Sequence, residues 1–586
     1  MDLREITILV NQKLVAKALG ELYYEENISA TQNNELYKLE LVSGVSYTFK
    51  ARETIWTSLI VNPNSLLRTK EGNTEQITSA AQFYIDAQEE LELSDIVLAN
   101  FLEELNNTVV RDIHLFNKRK NILAKDLIGM TEVERESYLN GHPKALLNKG
   151  RIGWNQSDSS HYSPEESQGF KLHWLAIRRE NLTYKLSDSI SESELLDESF
   201  DSEEKLKLLQ ELKEREISLD DYMIIAAHPW QWENIIQTQF NLEIAQGELI
   251  HLGARGDLYR PQVSLRTLSN ISRKSQLDIK VPLTILNTSA IRGLPKKYIQ
   301  IGVTISDFLQ DYLSSDTLLE DANFSIIKER AGASYVSSYF AQIKDAPYRY
   351  HEYIGITWRQ SMESLENSPE EKTLMTGTML FVDNNNKSFV AELIEKSGLD
   401  KEAWFSLYFN KVVIPLYHLQ SSYGISLVSH GQNIVLKLKN HAPHGVAIKD
   451  FGGDLRISNE FKDKYKAVEG IENIGNLPAA HLIHDLYTGH MVTLMRFVSA
   501  ILEDTENFPE IKFYELLSRE IEKYNNEYHP SKEINLLREK FERVIINTVR
   551  FQIGYGDSSQ RPLPKLGTDL MNPIFLGHKS RKKENE

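Results

Sequence analysis

The N-terminal part of the chain alternates between a helical and an extended pattern of apolar residues. Apolar side chains recur every four residues from residue 6 to residue 22, which predicts a helix across residues 2–26. Residues 37–53 alternate between apolar and polar side chains around a Ser43-Gly44 turn, a pattern typical of two paired strands. Residues 78–120 return to a broad apolar face at helical spacing. The pattern therefore mixes helices with antiparallel strands.

A second alternating segment predicts a β-hairpin in residues 434–448. With the turn centred on residues 440–445, antiparallel pairing sets Ile434 opposite Phe451 and brings Asn433 close to Asp450. Amide and carboxylate oxygens are ligands that Mg²⁺ prefers, and Mg²⁺ commonly completes its coordination with water and nucleotide phosphates. An imidazole and a second amide lie beside them, His430 and Gln432. The pattern predicts either a Mg-nucleotide site or a hairpin with exposed polar ends.

Two segments before this hairpin carry hydroxyl groups and cations. Residues 261–269 read as a strand in which Ser264 and Arg266 share one face. A second extended run begins at Lys280, and Arg292 follows it. Adjacent strands with these side chains predict a phosphate cradle built from side chains. The sequence contains no G-x-x-x-x-G-K-[ST] motif, so a P-loop is excluded as the source of nucleotide binding.

Residues 140–154 form a loop punctuated by glycine and proline and rich in cations. His142, Lys149 and Arg151 could clamp a carboxylate, because arginine binds it through two parallel hydrogen bonds and lysine supplies a point charge. Ordinary loop packing is the alternative. The later segment His228-Pro-Trp-Gln231 follows a short apolar run, and there we favour packing over chemistry.

The length of 586 residues exceeds one ordinary core, so two to four domains are expected. The strongly acidic, helical stretch 191–221 suggests a connector near a boundary. We expect an N-terminal domain at 1–190, a domain with the phosphate-binding strands at 191–385, and a domain with the hairpin and a helical cap at 386–586. Helical structure is predicted for 318–345, the segment around 357–361, 388–423 and 478–550.

Composition and charge narrow the class of function. The net charge of -17 argues against a nucleic-acid platform, because neutralising phosphates requires clustered lysine and arginine. The chain has no cysteine, so any metal must be held by oxygen or imidazole. The N-terminus lacks a signal-peptide pattern and no run of 18 apolar residues occurs, so we expect a cytoplasmic protein without a membrane partner.

Taken together, five ordered blocks resemble the siderophore synthetases that work without a nonribosomal peptide template, the aerobactin-synthetase-like (IucA/IucC) family. The resemblance runs from about residue 138 to residue 573. The family's motifs correspond here to Gly141-His142-Pro143 with Lys149, Arg151 and Gly153; His228 to Gln231; Ser264, Arg266 and Thr267 with Lys280, Thr288, Ser289 and Arg292; His430, Gln432, Asn433 and Asp450; and Asn572-Pro573.

The resemblance implies an α+β fold, a multi-domain cradle of thumb, fingers and palm with antiparallel sheets and a helical C-terminal region, in a homodimer. It implies that a carboxylate, often citrate, attacks the α-phosphorus of ATP with Mg²⁺, and that an amine or hydroxyl then displaces AMP. Catalytic roles fall to Arg266, Lys280, Arg292 and His430. ATP contacts fall to Ser264, Arg266, Thr267, Lys280, His430, Asn433 and Asp450, and metal contacts to Asn433 and Asp450. Substrate contacts fall to His142, Lys149, Arg151, Thr288, Ser289, Arg292 and Gln432.

Three positions depart from the family pattern. Ala145 stands where many members have a second histidine, Lys449 where many have arginine, and Val428 where a glutamate often occurs. The first departure makes free citrate a less secure substrate, and the third removes one candidate metal contact.

Two rival interpretations remain. The arrangement of His430, Asn433 and Asp450 also resembles the metal end of a kinase-like phosphotransferase, which would use Asn433 and Asp450 for Mg²⁺. However, Gln432 occupies a place where such an enzyme needs a proton-accepting aspartate, and no glycine-rich loop precedes it. A non-enzymatic scaffold would have to explain five ordered polar motifs as accidents of packing.

Overall fold

The computed structural model of the chain describes residues 1–288, 290–547, 551 and 565–584. Asp2 caps the first helix. Its carboxylate accepts the Glu5 N–H, and the Glu5 carboxylate accepts the Asp2 N–H, both at 2.8 Å. This reciprocal cap fixes the start of the helix. The helices of this region are α1 (Leu3–Tyr24), α2 (Ala80–Asp86) and α3 (Asp95–Arg119).

An antiparallel six-stranded sheet packs against these helices around a core of its own. The predicted helix at 2–26, the strand pair at 37–53 and the helices in 78–120 are all confirmed. The strands are β1 (Ala30–Asn33), β2 (Leu36–Glu40), β3 (Ser46–Glu53), β4 (Leu59–Val61), β5 (Leu67–Lys70) and β6 (Asn73–Gln76).

The middle of the chain forms an antiparallel eight-stranded sheet in the order β8-β16-β17-β12-β11-β10-β7-β9. Its strands are β7 (Phe170–Arg178), β8 (Leu182–Leu186), β9 (Tyr222–Ala227), β10 (Leu249–Pro261), β11 (Thr267–Asn270), β12 (Asp278–Lys280), β16 (Glu329–Tyr335) and β17 (Ile354–Arg359). Three strands of this region lie outside the sheet: β13 (Leu283–Asn287) and β14 (Ala290–Arg292), which form a hairpin after β12, and β15 (Ser325–Ile326). Helices of seven or more residues here are α4 (Gln156–Tyr162), α5 (Glu192–Ser199), α6 (Ser202–Glu214) and α7 (Lys296–Tyr312).

The last part of the chain places small sheets among helices around the largest apolar core. Its strands are β18 (Glu371–Met375), β19 (Ile425–Leu427), β20 (Ile434–Lys439), β21 (Ala442–Ile448), β22 (Leu455–Ser458), β23 (Gly475–Leu477), β24 (Lys540–Ile545) and β25 (Lys565–Met571). The longer helices are α8 (Phe389–Ser397), α9 (Lys401–Tyr408), α10 (Ile414–Tyr423), α11 (Ala479–Leu486), α12 (Arg496–Glu506), α13 (Glu510–Tyr528) and α14 (Pro573–Glu584). A buried π-helical segment, Tyr487–Met495, joins α11 to α12.

These elements confirm the predicted α+β class with antiparallel sheets and a helical C-terminal region. The division of the chain at residues 190 and 385 stays a prediction, and the eight-stranded sheet takes β7 and β8 from before residue 190 and its other strands from after it. Among the described residues, no helix is both long enough and apolar enough to cross a lipid bilayer.

Some local predictions were wrong. Residues 318–345 include strand β16 and the segment around 357–361 includes β17, whereas 478–550 is largely helical as far as Tyr528, as predicted, and also contains β24. In β16 and β17 the side chains of both sheet faces are buried, so the apolar pattern loses its period of two and cannot be told from a buried helix. The hairpin turns at Asn440-His441, so Ile434 pairs with Ile448 instead of Phe451.

A buried cluster of charges ties α1 to the loop after residue 140. The fully buried Lys144 ammonium pairs with the Glu25 carboxylate and lies 3.7 Å from that of Glu21. Arg496 pairs with Glu21 at 2.6 Å, and its guanidinium lies over the ring of Tyr24. This cluster holds the N-terminal helix, the loop and the start of α12 together.

Replacing Lys144 with methionine should therefore destabilise the fold by about 3–5 kcal/mol, because the buried Glu25 carboxylate would lose the ammonium group that pairs with it, while Glu21 would keep Arg496. The midpoint of urea unfolding measures this. Lys207→Met, which removes the exposed partner of Glu203 and Glu204, should leave the midpoint within experimental error. Equal midpoints for the two variants would contradict a structural role for the cluster.

Candidate functional site

A cavity of about 500 Å³ lies between four parts of the chain. They are the loop after residue 140, the strand ends around the β10–β11 turn and β12 in the eight-stranded sheet, the β20–β21 hairpin, and the π-helical segment. Most of the predicted site residues line it, although they are separated by up to 308 positions in the sequence. They are His142, Ser264, Arg266, Lys280, Thr288, Arg292, His430, Gln432, Asn433 and Asp450. The structure thus gathers three of the five sequence blocks at one place, and neither His228 to Gln231 nor Asn572-Pro573 lines the cavity.

Ser264 and Arg266 lie in a tight turn between β10 and β11, so the predicted strand at this position was wrong. The Gln262 N–H donates to the Thr267 carbonyl at 2.8 Å, and Leu265 adopts a φ of 69°. A left-handed leucine is uncommon and costs free energy, which the surrounding contacts must offset. The turn is anchored from outside by the Glu136 carboxylate, which accepts the Val263 N–H at 2.6 Å.

The register of the sheet sets two cations side by side. Thr267 pairs with Lys280, and the Val281 N–H donates to the Arg266 carbonyl at 2.9 Å. The Arg266 guanidinium donates to the Gly293 carbonyl beyond β14. The Arg266 and Lys280 side chains consequently line one wall of the cavity, as a phosphate cradle requires.

Asp450 lies beside Lys280, whose ammonium is 2.5 Å from the Asp450 carboxylate. Burial raises the pKa of this carboxyl, but Lys280, Arg359 and Arg266 outweigh it and hold the pKa well below its usual range. Its side chain remains a quarter exposed to the cavity. Asp450 is therefore a stable anion with access to a ligand, and its φ of 74° is a second left-handed conformation at the site.

The segment before β20 is shaped by hydrogen bonds that orient two polar groups. His430 Nδ1 accepts the Gln432 N–H at 3.3 Å, so in the neutral ring Nε2 carries the proton. Asn433 donates its side-chain amide to the Val428 carbonyl at 3.1 Å and to the Asp454 carboxylate at 2.9 Å. The amide nitrogen is thereby occupied, which leaves the Asn433 oxygen as the group available to a cation.

Gly431 lies between these residues and packs against the backbone of Gly377. The Gly377 N–H donates to the Gly431 carbonyl at 2.8 Å, and a Cβ at Gly431 would lie 2.8 Å from Gly377 Cα. No other residue fits this approach without a shift of the backbone.

His142 closes another side of the cavity. Its Nδ1 accepts the Ala145 N–H at 3.2 Å. Burial, with help from His430 and Lys17, lowers the pKa of His142 to about 3. The ring is neutral near pH 7 and offers its other nitrogen as a hydrogen-bond donor.

The β13–β14 hairpin contributes Thr288 and Arg292. Arg292 donates to the Asn287 carbonyl at 2.6 Å, and Thr288 has a φ of 50°. Ser289, between them, lies outside the described residues, so its predicted contact stays a prediction.

Three predicted site residues do not line the cavity. Lys149 is buried and pairs with Asp112 at 2.7 Å, and Arg151 forms two hydrogen bonds with Glu165 at 2.8 and 2.9 Å. Thr267 is buried in β11, and its N–H donates to Ser264 Oγ at 3.1 Å. The two cations are engaged within the protein, so we propose that all three shape the site without touching the ligand.

Sequence reasoning missed several residues of the cavity wall, chiefly Asp454, Thr493 and Asn547. Asp454 stands four residues after Asp450 across a Gly-Gly pair, and that spacing was a usable signal. Thr493 lies in the π-helical segment and Asn547 after β24, and neither has a local motif that marks it.

The oxygen groups of this wall fit a magnesium ion. Among the described residues, no three His, Asp or Glu side chains form a group that could hold a metal alone. Mg²⁺ commonly uses one or two carboxylates and takes its other ligands from water and phosphates. The Asp450 carboxylate and the Asn433 oxygen meet that requirement, with the Asp454 carboxylate beside them.

Residues 130–381 match the model of the IucA / IucC family, and residues 402–557 match a second model described as ferric iron reductase FhuF-like transporter. The chain is 36% identical to the aerobactin synthase of Escherichia coli, over 97% of this chain and 98% of that protein. It is 30% identical to the rhizobactin siderophore biosynthesis protein RhbF of Rhizobium meliloti (strain 1021), over 96% and 95%. A solved structure of aerobactin synthetase IucC from Klebsiella pneumoniae superimposes with a TM-score of 0.86 at 33% identity and covers 98% of this chain and 100% of that one.

Fold and relatives together define an enzyme of the ligase class. The chain belongs to the IucA/IucC family of siderophore synthetases.

Replacing Asp454 with asparagine should lower turnover about tenfold, because the Asn433 amide loses a charged acceptor that fixes its orientation. Steady-state rates at several Mg²⁺ concentrations measure the effect. Asp463→Asn, an exposed aspartate in the following loop, is the matched control and should behave like the parent. A parent-like rate for the Asp454 variant at every Mg²⁺ concentration would contradict this role.

Proposed function

We propose that this protein activates a carboxylate of citrate, or of a citrate-derived or other dicarboxylic acid, as an acyl-adenylate. It then condenses the acyl group with an amine or hydroxyl in siderophore biosynthesis. The observation that carries the proposal is the meeting of two kinds of group in one cavity. The cations Arg266, Lys280 and Arg292 line it together with the oxygen donors Asp450 and Asn433, and Lys280 contacts Asp450 directly.

The cations suit the triphosphate of ATP, and the oxygen donors suit Mg²⁺. A triphosphate needs cations that are already in place, and Arg266 and Lys280 are held by backbone pairing between β11 and β12. Asp450 and Asn433, with Asp454, would hold Mg²⁺. When bound, that ion neutralises phosphate charge.

The first step forms a bond between a carboxylate oxygen and the α-phosphorus of ATP, while the bond from that phosphorus to the bridging oxygen breaks and pyrophosphate leaves. In the second step the amine or hydroxyl attacks the acyl carbon and AMP leaves with the bonding electron pair, while the nucleophile loses its proton. Arg292, Thr288 and Gln432 line the same cavity and would orient the acid. His142 and His430 would donate hydrogen bonds to its oxygens.

The departures from the family pattern have structural counterparts. Ala145 supplies only its backbone N–H to His142. Val428 offers a carbonyl to Asn433, while Asp454 brings a carboxylate to that amide. Lys449 is buried near Glu136, and burial raises the pKa of Glu136 to about 8 although Lys449 opposes the change. We infer that Asp454 supplies the oxygen ligand that Val428 cannot.

Cytoplasmic location and a homodimer are part of this proposal, because the reaction consumes ATP and the resemblance implies a dimer. Sedimentation equilibrium of the purified protein measures the mass of the assembly against the 67.4 kDa of one chain.

ATP-dependent pyrophosphate release with a panel of carboxylic acids, and hydroxylamine as a generic nucleophile, tests the reaction. We expect one or more acids, citrate or a citrate derivative among them, to give pyrophosphate and AMP in equal amounts. ADP in place of AMP would contradict the proposal and favour the kinase-like alternative, which transfers the γ-phosphate.

Arg266→Ala should lower the rate of pyrophosphate release by about two orders of magnitude, the scale for removing one preorganised charge from a site of this kind. Arg266→Lys keeps the charge without the planar fork and should recover part of the loss. The urea midpoints of both variants serve as the control for folding. Full activity in Arg266→Ala would contradict the phosphate-binding role.

A further inference from the structure

Two further cavities lie next to the catalytic one and share wall residues in sequence from one cavity to the next. A connecting cavity of about 260 Å³ shares Leu139, Gly141 and Leu380 with the catalytic cavity. A third cavity of about 460 Å³, here called the cationic cavity, lies between α1 and α3 and shares Arg119 and Leu380 with the connecting cavity.

The connecting cavity is mostly apolar. Its walls include Leu139, Phe381, Phe497 and Ile501. Such walls suit an aliphatic chain, because transfer of methylene groups from water into apolar surroundings is favourable.

The cationic cavity carries more positive than negative charge. Its described walls include four cations, Lys13, Lys17, Arg119 and Lys149, and two carboxylates, Asp112 and Asp383. Lys13 and Lys17 are four residues apart on α1 and therefore share a helix face.

Both carboxylates are already engaged. Asp112 pairs with Lys149 at 2.7 Å. Asp383 accepts the backbone N–H groups of Ala124, Asn385 and Lys387 at 2.8–3.0 Å. Asp112 is therefore paired with a cation of its own, and backbone groups fix the orientation of Asp383.

Within the described part of the chain, Lys13 and Arg119 have no carboxylate at ion-pair distance. Arg119 donates instead to two neutral oxygens, the Val382 carbonyl at 2.7 Å and Asn140 Oδ1 at 3.1 Å. Burial lowers the pKa of Arg119 to about 10, and Asp112 and Asp383 offset this only in part. A half-buried guanidinium with neutral acceptors, beside lysine side chains, is suited to bind an anion.

We propose that the cationic cavity binds a carboxylate that one of the two substrates carries at a distance from its reacting atoms, with an aliphatic spacer lying in the connecting cavity. The proposal rests on the function proposed above and names a class of substrate for it. The carboxylate belongs either to the amine or to the acid, and the two sources give different kinetic results.

Two pairs of probes and two variants test this. The amines are 6-aminohexanoate and hexylamine, which differ in the terminal carboxylate, and the acids are the citrate monoamides of the same two amines. Lys13→Glu reverses an exposed charge at the mouth of the cationic cavity, and Arg119→Gln removes the inner one. Lys120→Glu, an exposed lysine next to Arg119 that lines none of the three cavities, is the matched control.

If the carboxylate belongs to the amine, the parent enzyme should use 6-aminohexanoate with a kcat/KM about tenfold or more above that for hexylamine, the scale of one charged hydrogen bond. The two cationic-cavity variants should abolish this preference, and Lys120→Glu should keep it. Rates with citrate and hydroxylamine, which carry no distant carboxylate on an aliphatic spacer, should be the same in Lys120→Glu as in the parent enzyme.

If the carboxylate belongs to the acid, the preference appears between the two citrate monoamides with hydroxylamine as nucleophile, and the same two variants should remove it. An active parent enzyme with no preference in either pair, or with a preference that the variants leave intact, would overturn this inference alone. A parent enzyme that releases no pyrophosphate with any acid would overturn the proposed function and this inference with it.

Discussion

The ion pair between Lys280 and Asp450 is the interaction on which the site depends. It joins the last residue of β12, in the eight-stranded sheet, to Asp450, which lies two residues beyond the β20–β21 hairpin. Because Thr267 pairs with Lys280, the same strand also fixes the turn that carries Arg266. This contact of 2.5 Å thus places the cations of the sheet next to the oxygen donors that follow the hairpin. It also keeps Asp450 ionised, since Lys280 is the nearest of the cations that lower its pKa.

Several residues around this contact have strained backbone conformations. Leu265, Thr288 and Asp450 all have positive φ, and Gly431 meets the backbone of Gly377 too closely for a side chain. Each of the three left-handed residues costs free energy that packing elsewhere must offset. The large buried cores and the Lys144 cluster hold these residues in place. The cluster also reaches the cavity, because Asn547 lines it and hydrogen-bonds to Glu25 and to the Lys144 carbonyl. The preorganised charges that the proposed adenylation requires are therefore a property of the whole fold.

The sequence allowed prediction of the fold class and of most of the cavity wall, because polar motifs at element ends stand out against apolar periodicity. Local geometry was harder. Ser264 and Arg266 look like alternate positions of a strand, and only the pairing of β10 with β11 shows that they lie in a turn. The hairpin register shifted by three positions because Asn440 and His441 take the left-handed conformation in a two-residue turn. Lys149 and Arg151 carry the charges of a substrate clamp, but their partners Asp112 and Glu165 are distant or unmarked in sequence. Thr493 and Asn547 reach the site only through tertiary packing.

The central claim is that a substrate carboxylate attacks the α-phosphorus of ATP in the cavity between Arg266 and Asp450. Isotope transfer tests it most directly. The reaction is run with a carboxylic acid labelled with ¹⁸O in its carboxylates, and the nucleotide product is analysed by mass spectrometry. One ¹⁸O atom in AMP, with unlabelled pyrophosphate, is the expected result. The amine attacks the acyl carbon and displaces AMP, and the former carboxylate oxygen leaves on the α-phosphorus. Label in inorganic phosphate together with ADP would show attack at the γ-phosphorus and would contradict the account.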